Sequence, residues 1–143
     1  MSANAPSHRR GRSGHSMVEA TFVLLLFLTT LIGIFDISQV LFRYHTLTNR
    51  AKAAARWGII HPGESAAIQN VVLYGQPAAP EDGSPPHFDL TAEMVTVQRL
   101  DTDTSSDRLV VTVAGYPLQL VTPVIANVFD GPPIVVTMPV ESP

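Results

Sequence analysis

The stretch Asp101-Thr102-Asp103-Thr104-Ser105-Ser106-Asp107 places Asp, Asp, Ser and Asp at alternate positions, as a calcium loop begins. Such a loop needs glycine at its sixth place and an acidic ligand at its twelfth, where this sequence has Ser106 and Thr112. A solvated turn between strands accounts for the stretch better. The five histidines (His8, His15, His45, His61, His87) show no metal-ligand spacing. The absence of cysteine removes thiolate zinc sites, disulfides and cysteine nucleophiles. "GRSGHS" joins a hydroxyl to an imidazole without an acid or an oxyanion-hole context. No catalytic residue, metal ligand or cofactor-binding residue is assigned, and the chain reads as a non-enzyme. The residue that does call for chemistry is Glu19, a carboxylate within the apolar run "GHSMVEATFVLLLFLTTLIGIF" from Gly14 to Phe35.

The element that carries Glu19 is a membrane helix. From Met17 to Phe35 Glu19 is the only charge. A helix of that length rises roughly 28 Å, close to the ~30 Å of bilayer hydrocarbon. Thr21, Thr29, Thr30 and Gly33 do not oppose this, because a hydroxyl can bond back to its own helix and glycine is common in membrane helices. A buried core helix seldom presents so long an unbroken run. A cleaved secretory signal would have a shorter core and a small-residue cleavage site, whereas this run passes into Asp36-Ile37-Ser38-Gln39 and continues. Arg9-Arg10 lacks a twin-arginine context. We place the span at about residues 17–38, with Asp36 a polar position at its end.

Charge is divided along the chain. Residues 1–57 carry seven basic residues against Glu19 and Asp36, a net +5, and residues 58–143 carry two against ten acids, a net −8. The acidic half would repel a nucleic-acid backbone, so no nucleic acid is expected as a partner. Basic residues flank the span on both sides, which leaves the positive-inside count nearly tied. The acidic, strand-rich half resembles a translocated domain, and this puts the N-terminus in the cytoplasm.

Helical spacing continues past the span. Ile37, Val40, Leu41, Tyr44, Leu47, Ala51, Ala54 and Ala55 recur at threes and fours, with no proline or internal glycine between Asp36 and Trp57. One helix is expected from about His15 to Trp57, stopped by Gly58 and then Pro62-Gly63. Its outer half has a narrow apolar stripe that needs either the chain's own C-terminal domain or neighbouring helices. Beyond it, "SAAIQNVVLY" reads as a short helix capped by Ser65, and "GQPAAPEDGSPP" as a loop. "EMVTVQRL" (Glu93–Leu100) and "RLVVTVAGYPLQL" (Arg108–Leu120) read as a β-hairpin. Val121–Gly131 reads as a short helix or loop, and Pro133–Glu141 as a last strand that Pro139 assigns to an edge or a strand end. The fold class is α+β: a long N-terminal helix, transmembrane in its first half, then a small antiparallel sheet. The divisions are 1–14, 15–58 and 59–143.

Glu19 has two readings: it snorkels to the interface, or it has a partner inside the membrane. Gly14, four further residues, Glu19 and then an apolar helix resemble the type IV prepilin processing site. That resemblance implies removal of the basic leader 1–14 by a prepilin peptidase, a new amino terminus at His15, and Glu19 docking on a neighbour's terminus. More specifically, Val18-Glu19, Gly33-Ile34-Phe35-Asp36 and Ala53-Ala54-Ala55-Arg56-Trp57-Gly58 follow one another as in TadE-like proteins. His15 and Gln39 depart from that pattern. The resemblance implies a minor pilin or pseudopilin of the tight-adherence (Tad/Flp) pilus or a related secretion machine. Its partners would be the peptidase, other pilins, pilus-assembly proteins and inner-membrane lipid. The competing reading is an uncleaved single-pass protein whose extracytoplasmic domain is a binding module.

Overall fold

The computed structural model describes residues 13–102, 104–118, 120 and 129–140. Helix α1 runs unbroken over Ser13–Ile60, 48 residues, or about 72 Å. It passes through Gly58, where a stop was expected, and ends before Pro62 and Gly63, the latter at φ 96°. Gly58 serves packing instead. A Cβ there would lie 2.6 Å from both Ile68 Cδ1 and Leu109 Cδ2.

Helix α2 is Ser65–Tyr74. The expected cap moves by one residue: Glu64 holds the N-cap position without a side-chain bond, and Ser65 is the first helical residue. Gly75, at φ 80°, closes the helix with its N–H donating to the Val71 carbonyl at 3.0 Å. Arg50 of α1 donates to two further end carbonyls, Val72 at 3.2 Å and Leu73 at 3.3 Å. Partial burial there lowers the Arg50 pKa from its ordinary value.

The hairpin is present as β1 (Val95–Leu100) and β2 (Arg108–Val113). Residues 92–94 form a single 3₁₀ turn rather than the start of β1. The long second strand is also shorter than expected. Gly115, at φ 69°, breaks it, and β3 (Pro117–Leu118) continues in a separate ribbon with β4 (Phe129–Asp130). Strand β5 (Ile134–Pro139) completes an antiparallel sheet in the order β1-β2-β5, with Val95 opposite Val113 and Val113 opposite Ile134. Pro139 ends the edge strand β5, where its missing N–H is tolerated. Residues 121–128, for which a short helix or loop was expected, lie outside the described residues.

The outer half of α1 and α2 cover one face of this sheet. Ala51, Ala54 and Ala55 are fully buried, and their small side chains let the α1 backbone lie close to α2 and the strands. Leu47, Ile68, Val72, Val95, Val111, Val113 and Ile134 fill the interface. Each such side chain contributes about 1.5–3 kcal/mol when fully buried.

Tyr116 closes the core at the turn between β2 and β3. It is 1% exposed and donates its hydroxyl to the Pro132 carbonyl at 3.0 Å. Gly131 lies against its ring and donates its N–H to the Tyr116 carbonyl at 2.9 Å. A Cβ on Gly131 would fall 2.1 Å from two ring carbons. Burial, and secondarily the Tyr44 phenolate, raise the Tyr116 pKa above 10.0. A raised folded-state pKa gives stability that is complete below pH 10.0 and lost as pH rises through the folded value. Gly131→Ala should therefore destabilise the domain by about 3 kcal/mol through overpacking. Tyr116→Phe should cost only about 1 kcal/mol at neutral pH, and its alkaline loss of stability should be shallower than that of the wild type. Denaturation of the full chain in detergent micelles, followed by circular dichroism from neutral pH to above pH 10, checks both.

Candidate functional site

Gly14, His15 and Glu19 all lie on the exposed first turns of α1. Among the described residues a Cβ on Gly14 meets nothing within 4 Å, and Gly14 is not among the glycines with positive φ. Among the described residues, neither packing nor backbone conformation gives a reason for glycine there, in contrast to Gly58 and Gly131. Glu19 borders a shallow surface groove of about 590 Å³ with Ser16, Ala20, Val23, Leu24 and Phe27. Among the described residues no cation pairs with it. The side chains around it are exposed: Met17, Phe22, Val23, Leu26 and Phe27 are each more than half accessible.

The hydroxyls of the run bond back to their own helix. Thr21 donates to the Met17 carbonyl at 2.9 Å, and Thr29 and Thr30 donate to Leu25 and Leu26 at 2.8 Å. These bonds make the threonines compatible with hydrocarbon, because no donor is left seeking water. α1 is the one helix among the described residues long and apolar enough to cross a membrane.

Asp36 is not brought near Glu19. The two are about 25 Å apart along α1. Asp36 is 7% exposed, and it borders a groove of about 470 Å³ with Thr29, Gly33, Ile37, Val40, Leu41 and Leu120. The apolar stripe beyond it divides in two. Leu47, Ala51, Ala54 and Ala55 are covered by the chain's own domain, whereas Ile37 and Leu41 remain more than half exposed.

Sequence reading missed the collar at the boundary between these halves. Arg43 donates to the Pro117 carbonyl at 3.1 Å and lies 5.5 Å over the Phe88 ring. Phe88 meets Phe42 edge-on at 6.3 Å. Phe88 and Asp89 both have φ 56°, unusual for residues with side chains, and such positions cost about 1–3 kcal/mol each. The Phe42 and Arg43 contacts offset that strain and pin the Gly75–Pro86 loop end to α1. No sequence pattern connects residues 42 and 43 with 88 and 117.

The acidic turn has its own explanation. Asp107 is 2% exposed and accepts from Arg99 Nε at 3.0 and 3.1 Å, with a second guanidinium nitrogen at 2.5 Å. Asp101 pairs with Arg108 at 3.1 Å in solvent. Thr104 donates its hydroxyl to the Asp101 carbonyl at 2.6 Å, tightening the turn. Among the described residues no cluster of three His, Cys, Asp or Glu side chains is placed to hold a metal ion. His61 stacks on Trp57 at 4.2 Å.

A long apolar helix that carries a small antiparallel sheet and a second helix on its far half fits the class of single-helix membrane anchors. Residues 14–56 match the family model described as TadE-like protein, in agreement with the resemblance read from Val18-Glu19 to Gly58. The match begins at Gly14 and ends within α1, short of the sheet. The match covers under a third of the chain; over those residues the chain is similar to TadE-like proteins, and that similarity suggests a pilus-associated protein. No curated protein and no solved structure matches the chain.

The two ion pairs of the acidic turn should separate on mutation. Asp107→Asn removes the buried charge that faces Arg99 and should destabilise by about 3 kcal/mol, the low end for a buried pair because Arg99 reaches water. Asp101→Asn breaks a solvent-exposed pair and should change stability by about 0–1 kcal/mol. Melting curves of the two variants in the same detergent check the difference. Added calcium should leave the wild-type curve unchanged.

Proposed function

We propose that this chain is a processed minor pilin or pseudopilin, a non-enzymatic subunit for assembly of a tight-adherence (Tad/Flp) pilus. The observation that carries the reading is the family match that starts at Gly14, together with a glycine there that packing among the described residues does not require. A prepilin peptidase cuts between Gly14 and His15 and removes the basic leader. The helix then resides in the bacterial inner membrane, with its N-terminus cytoplasmic and the domain beyond residue 58 extracytoplasmic. From there α1 packs among the helices of other pilins.

Glu19 is the docking residue in this reading. It is exposed beside an apolar groove at the start of the helix, and the amino terminus of a neighbour supplies the missing positive charge. An unpaired carboxylate in the bilayer is costly, so the pair forms only when the two helices are in register. Because the groove is open and apolar, a second helix can lie along Ala20, Val23 and Phe27 while its terminus reaches Glu19.

Two outcomes test this. Intact mass and N-terminal sequencing of protein from the native membrane should give a chain starting at His15, and Gly14→Leu should retain the leader. A Met1 or Ser2 start in cells with an active prepilin peptidase would favour an uncleaved anchored module instead. Glu19→Gln should insert and be cut normally but lose a charge-assisted contact of about 1.5–3 kcal/mol. It should accumulate in the membrane and co-purify poorly with the other pilins. Equal co-purification would return Glu19 to the interface.

A further inference from the structure

The apolar exterior of α1 does not end where the apolar run ends. Beyond Phe35, Ile37 is 63% exposed, Leu41 51%, Phe42 64% and Tyr44 37%. From Leu47 to Trp57 no large apolar side chain of the helix stays exposed. The exposed band from Met17 to Tyr44 therefore rises about 40 Å. Hydrocarbon alone is about 30 Å thick, and hydrocarbon with both headgroup layers is about 40–45 Å. The band matches the whole bilayer, and this puts Phe42, Arg43 and Tyr44 at headgroup level, where aromatic residues are favoured.

The folded domain comes down to that level and below it. Pro117 is held at Arg43 by the 3.1 Å hydrogen bond. Leu118 shares a cleft of about 270 Å³ with Val40, Leu41 and Tyr44. Leu120 then borders the groove with Thr29, Gly33 and Asp36. Thr29 and Gly33 belong to the apolar run itself, so Leu120 stands below the top of the span. Phe129, paired with Leu118 across the ribbon, is 46% exposed. Leu118, Leu120 and Phe129 are all apolar, and the charge of the ribbon is the exposed Asp130 opposite Pro117.

We propose that the β3–β4 corner is a second membrane contact, in which Leu118, Leu120 and Phe129 enter the lipid interface beside α1. The occupant of this apolar surface is bilayer lipid, because the surface is continuous with the membrane-facing band of α1 and reaches the same depth. The arrangement accounts for Asp36, whose carboxylate lies at that depth yet is 7% exposed: protein, not lipid, covers it. It also accounts for Arg43, which turns to Pro117 and Phe88 at the level where the corner enters. The proposal rests on the anchor reading of α1.

The absence of cysteine allows a clean test with single-cysteine variants of the full chain. Phe27→Cys marks the span, Phe129→Cys and Leu120→Cys mark the corner, and Thr137→Cys marks the exposed face of the sheet. Each carries a nitroxide in vesicles of phosphatidylethanolamine and phosphatidylglycerol. Collision rates with oxygen and with a water-soluble nickel chelate are compared. Labels at 120 and 129 should favour oxygen several-fold over the label at 137, and less than or equally to the label at 27. Nickel preference at both corner positions, with oxygen preference at 27, overturns the proposal and leaves the anchor intact. Nickel preference at 27 as well overturns both. Dipolar broadening at 129 that disappears on dilution with unlabelled protein would show a second copy on the corner, and would also overturn it. Phe129 is exposed, so its variant reports even where Leu120→Cys disturbs the domain.

Discussion

A single uninterrupted helix must satisfy two solvents. Away from its two ends the backbone polar groups of α1 are bonded within the helix, which suits hydrocarbon, and the same regularity extends far past the apolar run. The side chains alone decide what surrounds each turn. Leucine, isoleucine and phenylalanine point outward from Met17 to Phe42, and alanine replaces them at 51, 54 and 55, where the sheet presses in. The rest of the fold is arranged around that change. The strands can reach the helix only where alanine leaves room, and Gly58 extends the same close approach to the helix's last turn.

The boundary between the two solvents is made of unusual parts. Phe88 and Asp89 take backbone angles that their side chains oppose, and the compensation lies on α1, in the Phe42 ring and the Arg43 guanidinium. Arg43 also holds Pro117. One helical residue thus ties down the end of a long loop and the start of the β3–β4 ribbon. Removing either tie would free a segment where the exposed half of α1 meets the half covered by the domain.

The helix and the hairpin were legible because their signals are periodic and local. Threes and fours from Ile37 to Ala55 predicted the outer helix, and alternation in "EMVTVQRL" predicted a strand. Where local signals compete, the reading shifted by a few residues. Gly58 looked like a stop because its packing against Ile68 and Leu109 is a long-range fact. Ser65 looked like a cap although Glu64 holds that position. The "RLVVTVAGYPLQL" stretch looked continuous although Gly115 turns it. Of the candidate site, Gly14 and Glu19 were visible through their spacing. The collar of Phe42, Arg43, Phe88 and Pro117 was not, since its members are brought together only by the folded chain. The burial of Asp36 was illegible for the same reason: Leu120 approaches it from a segment far away in sequence.

The glycines sort the chain's constraints into internal and external ones. Gly131 is fixed by the Tyr116 ring and Gly58 by two side-chain tips, so their replacement is a question of stability. Gly75 and Gly115 are fixed by left-handed backbone at a helix end and a strand break. Gly14 and Gly33 have neither reason: among the described residues a Cβ at either meets nothing, and both are helical. Glycine weakens a helix by about 1 kcal/mol relative to alanine, so two such positions in the membrane half work against the helix they occupy. The compensation then lies in what approaches the helix from outside. For Gly33, which borders the Asp36 groove, a small residue admits close approach of another backbone. For Gly14, five residues before Glu19, the processing proposed above would supply the reason. The same division applies to charge. Asp107 is answered by Arg99 within the domain, whereas Glu19 has no cation among the described residues.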